Sequence, residues 1–133
     1  MTVRIDEAKI FRLIEEKRPR VILVNAPGGL LRQTKEMMER VREKYGATCI
    51  LAGDSCFGIC DTVDEDVPRL QADMALHIGH NATVQMVGDY TYLIDAVDDV
   101  KFDAVVERAA SVLRPYHRLG LVTFSQHMHE LGR

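Results

Sequence analysis

The chain alternates between unbroken apolar runs and stretches in which apolar residues recur every three to four positions. Val21-Ile22-Leu23-Val24 is continuous and rich in β-branched residues, the pattern of a strand covered on both faces. Thr48 to Ala52, Met74 to His77 and Tyr90 to Ile94 predict three more strands. Between them the period changes. Ile10, Leu13 and Ile14 share one face of a helix that Asp6 can cap and Pro19 ends. Leu30, Thr34, Met37, Met38, Val41 and Tyr45 form the stripe of a second helix, entered through the Pro27-Gly28-Gly29 turn and closed by Gly46. Val63 to Leu70 predicts a short helix, and Asp64, Glu65 and Asp66 read as its solvated caps. Phe102, Val105, Val106, Ala109, Ala110 and Leu113 give a last amphipathic stripe, stopped by Pro115. Leu119 to Phe124 predicts one further strand.

Strands alternating with helices predict an α/β fold: a parallel β-sheet of four to five strands flanked by helices, in a Rossmann-like three-layer domain. That domain is expected over residues 1–116. Residues 117–133 are then either the start of a second unit or a terminal strand and tail. No internal repeat or low-complexity tract interrupts the pattern.

Composition changes this picture little. With 133 residues, 47% hydrophobic and 28% charged, the chain suits one ordinary globular core. A formal charge of −3 and the lack of a basic run with interleaved aromatics argue against direct nucleic-acid binding. No stretch approaches the roughly 20 apolar residues of a membrane span. The mixed charges of residues 1–20 predict no signal peptide. Three cysteines, Cys49, Cys56 and Cys60, in such a chain suggest reduced thiols in a cytoplasmic setting rather than a disulfide framework.

Ligands of open parallel sheets gather beyond the carboxyl ends of the strands. The polar segments expected there are Asn25 to Gly29, Asp54 to Asp61, His77 to Asn81, and Ser125-Gln126-His127. One rim therefore carries two cysteines, three histidines and several glycines. The Gly28-Gly29 turn can offer backbone N–H groups to an anion at a helix start, or be a tight turn with no ligand. It lacks the later glycine and the Lys of the nucleotide-binding loops. Cys56 and Cys60 form a C-x3-C pair that could ligate iron, could form a zinc site with His77 and His80, or could be unliganded thiols. Cys49 lies within an apolar strand and reads as core. His77 and His80 flank Gly79 at a strand end, where an imidazole can donate a hydrogen bond or relay a proton. His127-Met128-His129-Glu130 lacks the helical two-His spacing of metalloproteases and is set aside.

Four segments, in order, carry a resemblance. Ala26-Pro27-Gly28-Gly29-Leu30-Leu31 is similar to a P-E-G-L-L turn. Gly53-Asp54-Ser55-Cys56-Phe57-Gly58-Ile59-Cys60-Asp61 resembles a G-D-x-C-[FY]-G-A-C-D loop. Ala72-Asp73 through His77-Ile78-Gly79-His80 resembles A-D-x-x-x-H-x-G-H. Gly120-Leu121-Val122-Thr123 through Gln126-His127 resembles G-L-V-T-T-x-Q-H. Together they resemble the first domain of the archaeal, homodimeric radical S-adenosylmethionine enzymes of diphthamide biosynthesis, the 2-(3-amino-3-carboxypropyl)histidine synthases.

That resemblance implies three similar α/β domains, each giving one cysteine to a [4Fe-4S] cluster whose fourth iron binds S-adenosylmethionine. Cleavage of the cofactor yields a 3-amino-3-carboxypropyl radical that adds to a histidine of translation elongation factor two. By position it implies Cys60 as the metal ligand, with Cys56 a neighbour outside the ligand set. It further implies catalytic roles for His77 and His80, and cofactor-binding roles for Pro27, Gly28, Gly29, Gly79 and Gln126. Gly28 stands where the family usually has Glu, and Asn81 where Ser is common. The resemblance covers about the first third of such a protein and lacks counterparts of the second and third cysteines. It therefore implies a fragment, a one-domain relative assembling several copies, or a domain without the activity. Other readings from the residues are a catalytically inactive binding or assembly module and a small Cys/His metal-binding protein.

Overall fold

The computed structural model describes residues 3–54, 56–82 and 87–130. Ser55 of the cysteine loop and residues 131–133 of the expected tail lie outside them. In chain order the elements are β1 (Val3–Ile5), α1 (Glu7–Lys17), β2 (Val21–Asn25), α2 (Leu31–Tyr45), β3 (Thr48–Leu51), α3 (Asp66–Arg69), β4 (Met74–Ile78), β5 (Thr91–Ile94), β6 (Ala96–Asp98) and α4 (Asp103–Leu113). A single turn of 3-10 helix precedes α2 at Gly28–Leu30, and a six-residue 3-10 segment closes the described chain at Ser125–Glu130.

The fold is α/β. A four-stranded parallel sheet has the order β3-β2-β4-β5, and β1 and β6 form a separate antiparallel pair. Both central strands are buried on two faces, so alternation sorts their side chains into two cores. Ile22, Val24, Leu76 and Ile78 meet Ile10 and Ile14 of α1, Leu30 of the turn before α2, and Met37 and Val41 of α2. On the other face Leu23 and Ala75 pack with Val63 and Val67 beneath α3. The first layer is much the thicker.

Local chemistry sets the boundaries. The Asp6 carboxylate accepts the Lys9 N–H at 3.0 Å and caps α1, whose end is an Arg18 in the left-handed region at φ 49°. Gly46, at φ 67°, closes α2 in the same way. Asp73 accepts the N–H groups of Arg20 and Val21 at 2.7 and 2.9 Å, tying the start of β4 to the start of β2. Asp64 is no solvated cap: it receives the Tyr90 N–H and the Thr91 hydroxyl, and so positions β5.

Two expectations are corrected. Leu119 to Phe124 is irregular chain, not a strand. Its Leu121, Val122 and Phe124 side chains are exposed, Val122 by 98%, so neither face of a strand would have a core to bury against. The helix of the last stripe does form as α4, but none of its residues is buried, and Val105, Val106 and Val112 face solvent. The short β1 and β6 strands were not expected. Among the described residues no helix is long and apolar enough to cross a membrane.

Candidate functional site

Strand order reverses about the β2–β4 pair: from β2 the chain moves outward to β3, then returns to β4 on the other side and continues to β5. Such a reversal opens a crevice at the carboxyl ends of the two central strands. Asn25 and His77 are cross-strand partners there, and both are buried.

Beyond His77, the chain must turn sharply. Gly79 does this at φ 88°. Its N–H donates to the Ile94 carbonyl at 2.9 Å, and its own carbonyl accepts the Gln126 side-chain N–H at 3.0 Å. A β-carbon on Gly79 would sit 3.1 Å from both Leu30 Cδ1 and Pro27 Cγ. The turn brings His80 back over His77, with 3.1 Å between His77 Nε2 and His80 Nδ1.

The cysteine loop reaches the same place from β3. Its last turn is locked by Asp61, whose carboxylate accepts the N–H groups of Phe57 and Gly58 at 2.8 and 2.9 Å. These two backbone donors hold the Asp61 pKa below the usual carboxylate value. The Asn25 side chain donates to the Asp61 carbonyl, anchoring the turn to the end of β2. This anchor was missed in the sequence; the available signal was a polar residue directly following an apolar strand.

The locked turn buries one of its two cysteines and exposes the other. Cys56 points inward and is buried, 3.9 Å from His77 Nε2 and 3.8 Å from His80 Nδ1. Cys60 is exposed. Burial, and then Asp61, raise the Cys56 pKa. Burial, and then the charge of His80, push the His77 pKa down. Cys49, half-buried in β3, has its pKa raised to about 11 by burial.

Two adjoining hollows open on this edge, of about 500 and about 610 Å3, and both are lined by Gly79, His80 and Gln126. The larger also takes in Pro27, Gly29, Arg32 and Gln33, and the smaller Ile59 and Asn81. The structure therefore gathers Pro27, Gly29, Gly79, His80 and Gln126 around one cleft. Gly28 is exposed beside it without lining it, and His77 lies beneath it. The start of α2 carries no side-chain cap, leaving its positive end toward this turn. His127 joins neither imidazole; it packs edge-on against Phe102 with 5.1 Å between centroids.

Residues 26–133 match the family described as diphthamide synthesis protein. The chain is 26% identical to 2-(3-amino-3-carboxypropyl)histidine synthase subunit 1 of Encephalitozoon cuniculi, over 96% of this chain and 37% of that one. It is 31% identical to the 2-(3-amino-3-carboxypropyl)histidine synthase of Methanocaldococcus jannaschii, over 57% of this chain and 24% of the relative. The crystal structure of Dph2 from Pyrococcus horikoshii superposes with a TM-score of 0.81 at 22% identity, covering 97% of this chain and 38% of that one. A second structure of the same protein, with a 4Fe-4S cluster, superposes equally well. The matches thus span from about a quarter to little more than a third of the length of these relatives.

Proposed function

Since the chain belongs to the diphthamide synthesis protein family, we propose that it serves as a 2-(3-amino-3-carboxypropyl)histidine synthase-type domain in which Cys60 supplies one ligand of a [4Fe-4S] cluster. The observation that carries this reading is the exposed Cys60 on a turn locked by Asp61 and Asn25, beside a cleft at the strand-order reversal.

The donor set fits one corner of such a cluster and no more. Cys56 faces the histidines and Cys49 is in β3, so Cys60 is the one exposed thiol among the described residues. The remaining ligands come from polypeptide beyond this unit, either further domains or further copies in a homo-oligomer. Cys60 would hold one iron of the cluster, which when bound and reduced would supply one electron to S-adenosylmethionine for cleavage of its γ-carbon–sulfur bond. The chain's own residues do the rest. Pro27 and Gly29, just before the uncapped start of α2, with Gly79 and Gln126, line the cleft that would hold the polar end of S-adenosylmethionine, with Gly28 at its margin. His80, which lines the cleft, donates a hydrogen bond or moves a proton at the acceptor. His77 orients His80 from below. The acceptor is a histidine of translation elongation factor two, met in the cytoplasm, where free cysteines stay reduced.

Anaerobic iron–sulfur reconstitution tests this reading. Wild-type protein should take up iron and sulfide and show broad absorption near 400 nm, and Cys60→Ala should lose most of it. Equal cluster content in both proteins removes Cys60 from the ligand set.

A further inference from the structure

We propose that Cys56, His77 and His80 together bind one divalent transition ion of the zinc class, at a site that leaves out Cys60 but shares the two imidazoles placed at the acceptor above. This site goes beyond the cluster reading and does not depend on it.

Three ligand atoms of the right kind converge. A tetrahedral ion with bonds of about 2.3 Å to sulfur and about 2.05 Å to nitrogen sets its ligands about 3.6 Å apart for S···N and about 3.3 Å for N···N. The separations here are 3.9 and 3.8 Å from Cys56 Sγ to the two nitrogens, and 3.1 Å between the nitrogens. Shifts of a few tenths of an ångström convert one arrangement into the other. The sulfur–nitrogen distances are long for hydrogen bonds, and the 3.1 Å contact between the two imidazole nitrogens is the one an ion would replace. A thiolate with two imidazoles selects zinc-like ions over magnesium or calcium, which take oxygen ligands.

The supports are rigid. Cys56 sits just before a turn clamped by Asp61, His77 is fixed in a central strand, and His80 is set by Gly79. With three protein ligands, a fourth position is left over. His80 is the member of the trio that lines the cleft, so a small anionic or neutral ligand, or water, reaches the ion from there. Binding releases the Cys56 proton to solvent, with the ion and the sulfur keeping their oxidation states.

The test is an anaerobic titration of the full chain with Co2+, followed by displacement with Zn2+. One equivalent of Co2+ should give a thiolate-to-metal charge-transfer band in the near ultraviolet and intense visible bands of a four-coordinate ion. Cys56→Ser should abolish the charge-transfer band, and His80→Ala should weaken binding at least roughly tenfold. Cys60→Ser should leave both signals unchanged, the opposite of its effect on iron–sulfur content. No charge-transfer band, or a band lost in Cys60→Ser but kept in Cys56→Ser, overturns the proposal. Far-ultraviolet circular dichroism checks each variant. If Cys56→Ser does not fold, the half-buried His80→Ala decides, and unchanged affinity there refutes the site.

Discussion

Replacing Gly79 with alanine perturbs the turn that sets His80 over His77, and its consequences can be worked from two terms. The first is conformational: at φ 88° an L-residue meets the left-handed penalty of about 1–2 kcal/mol. The second is steric, since the new methyl lies 3.1 Å from Leu30 Cδ1 and from Pro27 Cγ. Leu30 can yield by a small rotation, but the proline ring cannot, so about 1–2 kcal/mol of overpacking is expected. The sum is about 2–4 kcal/mol, a large share of the 5–15 kcal/mol typical of a domain. For a chain of this length it lowers the melting temperature by roughly 10 °C. Gly46→Ala supplies the control: its φ is also positive, at 67°, with nothing within 4 Å of the added carbon. It should cost only the conformational term, about 1 kcal/mol. Urea denaturation of the three proteins, followed by circular dichroism, makes the comparison. If Gly79→Ala is no more destabilising than Gly46→Ala, the close packing of Gly79 on Pro27 and Leu30 is refuted.

Anaerobic pulse alkylation read by mass spectrometry should modify exposed Cys60 first. Buried Cys56, and Cys49 with its pKa near 11, should react at least about tenfold more slowly; a Cys56 that labels as fast as Cys60 contradicts the inward orientation. The Asp73 carboxyl is held below its ordinary pKa by the Val21 and Arg20 N–H groups. A lowered folded-state pKa means stability that is present above the unfolded value near 3.8 and lost as pH falls through the folded one. Wild-type protein should therefore lose stability below about pH 4 more steeply than Asp73→Asn, and parallel acid limbs would remove Asp73 from the account. The amides of α4, which buries no side chain, should exchange with deuterium much faster than those of β4, with equal protection the contrary result.

The central architecture was legible because its signals were redundant. The Val21–Val24 run, the α2 stripe and the Gly46 stop each point to one structure, and the chain adopts it. The failures have physical causes. Strands of three residues, such as β1 and β6, are too short for a period to show. The α4 stripe predicts a helix, and correctly so, but periodicity says nothing of whether a partner layer exists to cover it. Leu119 to Phe124 has the composition of a strand, and strand propensity reflects packing more than backbone preference. At the site, the sequence put Cys56, Cys60, His77 and His80 on one rim. It could not say which cysteine faces the imidazoles. That choice follows from the Asp61 clamp and the Asn25 anchor, contacts made between segments distant along the chain.

The shared rung of Asn25 and His77 has a consequence for how the site comes into being. Side chains alternate along a strand, so a slip of one residue between β2 and β4 would turn His77 to the other face, away from Cys56. The trio therefore cannot assemble on a loop peptide or in a partly collapsed chain; it exists only once the central strands are aligned. By thermodynamic linkage the converse also holds. Any ion captured by Cys56, His77 and His80 resists every slipped or unfolded arrangement, contributing about 2.7 kcal/mol at a hundredfold excess over its dissociation constant. A ligand at the rim thereby acts as a register pin for the whole sheet.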